Sequence, residues 1–281
     1  NEIENQKTVL HIFNSKYLLD KKITENLPIG LFGNFYSQEL SFLLIENNYY
    51  KNLNKLFNKC NLKVKKIISK KFIDGANLIN ENLGVETFVK IEINKNNSQI
   101  IYFQNSSLKF FEDFKFGSDI ILNDISKIIG LEIENAREIL INTDFSNPKS
   151  REEFIKKKFF RVGHYKEIKK ELIFEIAYAR IKELSEIMLF KNINLDFFIK
   201  KKIPLFLKIN DEIIAKSFLE SFKLFFSKKN KYQLKFLGPQ DYSSLYNDAL
   251  KIVHYGWKKE AVPIIVQKKS IIERFFNLFF N

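Results

Sequence analysis

Side chains capable of nucleophilic, acid–base or metal chemistry are sparse and far apart in this sequence. Its single cysteine is Cys60, and its three histidines, His11, His164 and His254, form no HxxxH or HxH pair. A zinc site needs three or four ligands brought together. Here all three histidines would have to converge from remote segments, so no metal is expected. A lone cysteine excludes a disulfide framework and points to a reducing compartment. The nine glycines never occur as GG, GxG or GxxxxGK, so the usual phosphate-cradling loops are missing. No catalytic residue is expected.

Composition narrows the partners. The 281 residues are 45% hydrophobic and 28% charged, an ordinary globular balance with room for one large or two modest domains. Lys plus Arg total 46 against 33 Asp plus Glu, a formal charge of +13, yet only five of the 46 are Arg. Readers of bases and phosphates favour the rigid guanidinium fork. Nucleic acid is therefore not expected, while attraction to anionic lipid or an acidic protein is. No apolar run approaches the roughly 18 residues of a spanning helix, and no signal peptide is visible. The chain opens on Asn1 rather than Met.

The elements alternate strands with helices, an α/β pattern with mixed sheets. Val9–Phe13 and Leu40–Ile45 read as strands, with a Pro/Gly-punctuated turn at Leu27–Gly33 between them. Tyr50, Leu53, Leu56, Phe57 and Cys60 recur at helical spacing, which predicts a buried Cys60. Lys63–Ile68 reads as the start of another strand. Phe88–Ile93 and Gln99–Phe103 flank an Asn-rich turn, a hairpin signal. A strand at Leu108–Phe111 and a helix carrying Ile120, Ile121, Ile125, Ile128 and Ile129 follow, then a short helix at Asn135–Ile141. A long helix bears Leu172, Ile173, Ile176, Ile181, Leu184, Ile187 and Met188 on its apolar face. Later come a strand (Ile203–Leu207), a helix (Ile213–Phe226), a strand (Gln233–Leu237) and a core helix (Tyr246–Tyr255).

The last fourteen residues are the most explicit physically. On a helical wheel Ile271, Ile272, Phe275, Phe276, Leu278, Phe279 and Phe280 fill one broad face, and Arg274 lies opposite; Lys268 and Lys269 stand just before. Phenylalanines at the acyl boundary and cations at the headgroups describe an interfacial anchor.

In order and spacing, short motifs along the chain resemble the FtsA family, actin-like bacterial cell-division proteins. His11–Tyr17 is similar to the family's H-V-I-P-x-x-Y strand, and Pro28–Gly33 to its N-P-x-G-L-x-G turn. Cys60–Val64 resembles C-G-L-K-V. Asn123-Asp124-Ile125 with Gly130, Ala136 and Ile139 resembles the T-x-D-I…G…A-E-x-I block. Arg180 and Glu183 fall where I-x-x-R-x-x-E-L is expected, and Gly238-Pro239 and Ala249…Gly256 resemble the late G-P and A-x-G-L-x-x-Y-G segments. The family's first quarter, with its D-x-G-T loop, has no counterpart.

The resemblance implies an actin-like (Hsp70/ribonuclease H-like) α/β fold with the FtsA-specific inserted subdomain, N-terminally truncated. It implies the rest of that insertion at 1–64, a remnant of the first core subdomain at 65–84, and the second core subdomain at 85–141 and 171–243. A basic lobe falls at 142–170, a core helix at 244–256, a linker at 257–267, and a membrane-targeting helix at 268–281. The family's D-x-G-G-G-T-x-D phosphate hairpin aligns with Glu92, Ile93, Asn94, Lys95, Asn96, Asn97, Ser98 and Gln99. Its L-T-G-G adenosine motif aligns with Leu207, Lys208, Ile209 and Asn210. Every glycine is gone and the second Asp is Gln99, so these read as solvated turns of a pseudo-ATPase. No cofactor is expected, with ATP bound only if a missing N-terminal part restores the site.

The implied role is a non-catalytic adaptor that tethers the FtsZ ring to the cytoplasmic face of the inner membrane at the division septum. Its implied partners are the FtsZ C-terminal tail, at the basic residues Arg151, Lys156, Lys157, Lys158 and Arg161; an anionic membrane surface; and other actin-like protomers. The alternatives are an actin-like ATPase completed by the missing N-terminus and an actin-like scaffold for pilus assembly.

Overall fold

A computed structural model describes residues 6–24, 26–145, 151–160, 164–198, 203–227, 232–239 and 241–261. The segment 268–281, expected to target a membrane, and Arg161 lie outside the described residues. The chain divides into two compact units, residues 1–68 with 257–281, and residues 69–256.

Unit 1 is built on a long antiparallel ladder. β1 (Lys7–Leu19) pairs with β3 (Tyr36–Glu46), with register shifts between Val9 and His11 and between Asn14 and Lys16. β2 (Lys22–Thr24) and β9 (Glu260–Ala261) pair with the other edge of β1. Alternation buries His11, Phe13, Ser15 and Tyr17 on one face of β1. The strand runs well past the apolar Val9–Phe13 stretch because ladder bonds carry it through the polar Asn14, Ser15 and Lys16. α1 (Asn47–Lys59) follows β3 and buries none of its residues. Cys60, at its C-cap, is exposed, contrary to the expectation from helical spacing. An apolar stripe implies burial only where another element covers it. Residues 62–69 form no strand either, since none of the described strands pairs with them.

Unit 2 carries a five-stranded sheet in the order β6-β5-β4-β7-β8. β4 (Phe88–Ile93), β5 (Ser98–Gln104) and β6 (Ser107–Phe114) form an antiparallel meander. β7 (Ile203–Ile209) and β8 (Tyr232–Phe236) extend it in parallel from β4. α2 (Lys70–Glu81) precedes the sheet, and α3 (Asp119–Ile129), α4 (Ile133–Asn142), α5 (Lys170–Ser185), α6 (Ile193–Phe198), α7 (Glu212–Ser227) and α8 (Tyr242–Tyr255) follow in sequence. α5 runs on as a π-helical turn, Glu186–Phe190.

Because side chains alternate along a strand, β4 splits its contacts. Val89, Ile91 and Ile93 join the main core with residues of α3, α4, α5 and α7. Phe88, Lys90 and Glu92 point the other way. Phe88 stacks on Phe103 and meets Phe206 edge-on, while Lys90 pairs with Asp74 of α2. All six residues are buried, including the two charged ones.

Candidate functional site

In a sheet with parallel strands, ligands gather at the carboxyl ends of those strands. Here β4 and β7 end beside each other at Ile93 and Ile209, one residue past the paired Glu92 and Lys208, and the β8 strand leads into Gly238-Pro239. The charges at this point are paired. Lys90 Nζ lies 3.3 Å from Asp74 Oδ2 and 3.4 Å from Glu92 Oε2. Lys208 Nζ lies 3.7 Å from Glu92 Oε1. All four side chains are buried.

Two amides complete the shell of Glu92. Gln99 Nε2 donates to Oε2 at 3.0 Å and Asn210 Nδ2 to Oε1 at 2.7 Å. Burial alone would push the Glu92 pKa up; Lys90, the Asn210 amide, Lys208 and Gln99 together overrule it and hold it at about 2. Two buried cations therefore face two buried carboxylates, so the cluster presents no net charge to an anion. Its chemistry is that of a closed network.

The hairpin turn beside it is pinned. Asn94 N donates to Asn97 O at 2.9 Å, and Asn94 Oδ1 accepts from Asn210 Nδ2 at 2.6 Å. At the start of α3, the amides of Ser118 and Asp119 donate to the carbonyls of Asn94 and Lys95 at 2.8 and 3.0 Å. Gly117 permits this approach, since a Cβ there would collide with those carbonyls.

Lys95, Asn96 and Asn97 lie exposed on the turn. Glu92 and Lys208 are instead buried and paired, not solvated as the sequence reading held, because each has an opposite charge within reach. Ile209, by contrast, is half-buried and Asn210 is exposed. A groove of about 500 Å³ is lined by Lys208, Ile209, Asn210, Lys216, Gly238 and Tyr242 among others. A smaller cavity of about 160 Å³ lies beside α2 and Gly238-Pro239, with Asp74, Lys90, Lys208 and Asp241 in its wall. Beside it Asn77 Nδ2 donates to Ser244 Oγ and Asp248 Oδ2 at 2.8 and 2.9 Å, tying α2 to α8. Sequence reasoning missed Asp74 and Lys90. The one signal for Lys90 is its place two residues before Glu92 in an alternating strand.

Other sequence-predicted residues scatter. Arg151 is held within its own unit: Nε donates to Phe145 O at 2.9 Å and the guanidinium lies 3.4 Å over the Phe174 ring. Lys156, Lys157 and Lys158 are exposed on a short 3-10 turn. Two motifs far apart in sequence meet, since Arg180 Nε donates to Asp124 Oδ2 at 2.5 Å and Nη1 to Glu183 Oε2 at 2.5 Å. No helix among the described residues is long and apolar enough to cross a membrane.

No protein-family model matches the chain. Among curated proteins, "Cell division protein FtsA" of Buchnera aphidicola subsp. Acyrthosiphon pisum is 25% identical over 143 residues, covering 50% of this chain and 34% of that protein. The FtsA of Buchnera aphidicola subsp. Schizaphis graminum is 24% identical over the same shares. The matched stretch thus spans about a third of these relatives' length. Among solved structures, the PilM–PilN type IV pilus biogenesis complex is 9% identical, covering 90% of this chain and 66% of that one at a TM-score of 0.46. MreB5 of Spiroplasma citri bound to ADP is 14% identical, covering 74% and 65% at a TM-score of 0.46. The β6-β5-β4-β7-β8 order, three antiparallel strands extended by two parallel ones, has the α/β form of the expected fold. Over half of its length the chain is thus similar to FtsA, at a quarter identity, and its sheet is compatible with the α/β fold that this resemblance implies.

Proposed function

We propose that this chain is a non-catalytic FtsA-like adaptor that ties the FtsZ ring to the cytoplasmic face of the inner membrane at the septum. The observation that carries the non-catalytic half is the Glu92 cluster. The hairpin end that aligns with the family's phosphate loop carries a neutralised network of Lys90, Asp74, Glu92 and Lys208. A triphosphate would meet no net positive charge there, and drawing either lysine onto it would break a buried ion pair, at a cost of several kcal/mol per uncompensated charge. Branched Ile209 in place of the first adenosine-loop glycine works against nucleotide as well.

Membrane attachment is assigned to the amphipathic segment 268–281, from Lys268, Lys269 and the phenylalanine face. FtsZ attachment is assigned to the exposed Lys156, Lys157 and Lys158, whose charge suits an acidic, apolar tail and raises its on-rate. One tail holds a bilayer loosely, so several protomers on one assembly make the attachment firm. The test is calorimetry with Mg·ATP beside co-sedimentation with anionic vesicles. Micromolar ATP affinity would refute the pseudo-ATPase, and unchanged vesicle binding after deletion of residues 268–281 would refute the anchor.

A further inference from the structure

We propose that the loop between β2 and β3, residues 26–35, is a second lipid-contacting element, which dips its apolar tip into an anionic bilayer surface. The inference rests on the reading that the protein works at a membrane. Three large apolar side chains at the tip, Ile29, Leu31 and Phe32, are 82%, 62% and 101% exposed. Single exposed apolar residues are ordinary on protein surfaces, whereas a cluster on one short loop marks an interaction site.

The loop is held in place by its own bonds. Asp20 Oδ1 accepts the amides of Asn34 and Phe35 at 2.9 and 2.8 Å, and Asp20 N donates to Phe35 O at 2.8 Å. Gly33 lets the loop base lie against the Leu19 side chain, which a Cβ there would push aside. At the tip Gly30 takes φ +77°, and Leu31 N donates to Pro28 O at 3.4 Å. Backbone groups are thus tied down while the side chains project, which lowers the ordering cost of binding.

Charge selects the occupant. Lys21 and Lys22, both exposed, follow Asp20 at the clamped base, and the chain carries a formal +13. An apolar tip with cations behind it matches acyl chains below anionic headgroups. The site also lies in the unit that carries the C-terminal segment: Lys268 is seven residues past Ala261, a reach of at most about 25 Å. Two weak lipid elements on one unit bind jointly through effective concentration.

The test uses the full chain with Trp257→Phe, which removes the native indole, and Phe32→Trp, which places one at the tip. Vesicles of phosphatidylglycerol and phosphatidylethanolamine, with and without brominated acyl chains, are the probe. Expected is a blue shift of the indole emission on vesicle binding, with quenching by the brominated chains. In the otherwise native chain, Leu31→Asp with Phe32→Asp is expected to weaken vesicle partitioning about tenfold or more with Tm unchanged. Co-sedimentation without any shift or quenching would overturn the loop proposal and leave the tail anchor standing. Absence of co-sedimentation would overturn both. A shift that grows with protein concentration in lipid-free buffer would assign the loop to a second copy of the chain instead.

Discussion

Lys90 and Glu92 share one face of β4, their Nζ and Oε2 atoms 3.4 Å apart and both side chains shut away from water. Neither group would persist there alone, since an unpaired buried charge is far costlier than a pair. Asp74 from α2, Lys208 from β7 and the amides of Gln99 and Asn210 therefore hold this end of the sheet together as one unit.

Acid should expose that dependence. Glu92 titrates at about 2 in the fold against 4.5 when unperturbed. A depressed carboxylate pKa stabilises the folded state above the unfolded value, and the contribution is lost as pH falls from about 4.5 towards 2. The shift corresponds to about 3 kcal/mol. Glu92→Gln is expected to lower the urea midpoint at neutral pH. The gap from the parent should narrow below pH 4.5; a gap independent of pH would contradict the assignment.

Nucleotide should leave the protein unmoved. With the cluster neutral and closed, Mg·ATP is expected to produce no rise in Tm and no phosphate release. Differential scanning fluorimetry and a phosphate-release assay check both.

Gly117 is a structural counterpart of the network. The atoms that a Cβ would strike are backbone carbonyls of the hairpin turn, which cannot rotate away. Gly117→Ala is expected to cost about 1–3 kcal/mol in chemical unfolding. Full retention of stability would mean that the turn is free to shift.

Some of this was legible before any coordinates. The β4–β5 hairpin showed in its alternation around Asn-rich residues, and Asp124 and Arg180 showed in separate motifs that the fold brings to one ion pair. Asp74 and Lys90 were invisible because a charged residue reads as surface until its partner is known, and these partners are 16 positions apart. Cys60 was misread because spacing reveals an apolar stripe but not what covers it. The strand expected at Lys63–Ile68 had apolar residues, but none of the described strands pairs with it. Arg151 looked like part of a basic patch, whereas its guanidinium is spent on Phe145 and Phe174.

The exposed lysines give a sharper test of partner binding than Arg151 does. Lys156→Glu, Lys157→Glu and Lys158→Glu together are expected to weaken co-pelleting with FtsZ about tenfold, chiefly through slower association at low salt. Stability should stay within about 0.5 kcal/mol, as for other surface changes. Unchanged co-pelleting would remove this turn from the interface.

The most direct measurement is recruitment of labelled FtsZ to phosphatidylglycerol-containing vesicles by the full chain, with and without Mg·ATP. A nucleotide-independent tether predicts equal recruitment in both conditions and loss of recruitment when residues 268–281 are deleted. FtsZ that stays in solution, or reaches the vesicles only when ATP is present, would contradict it.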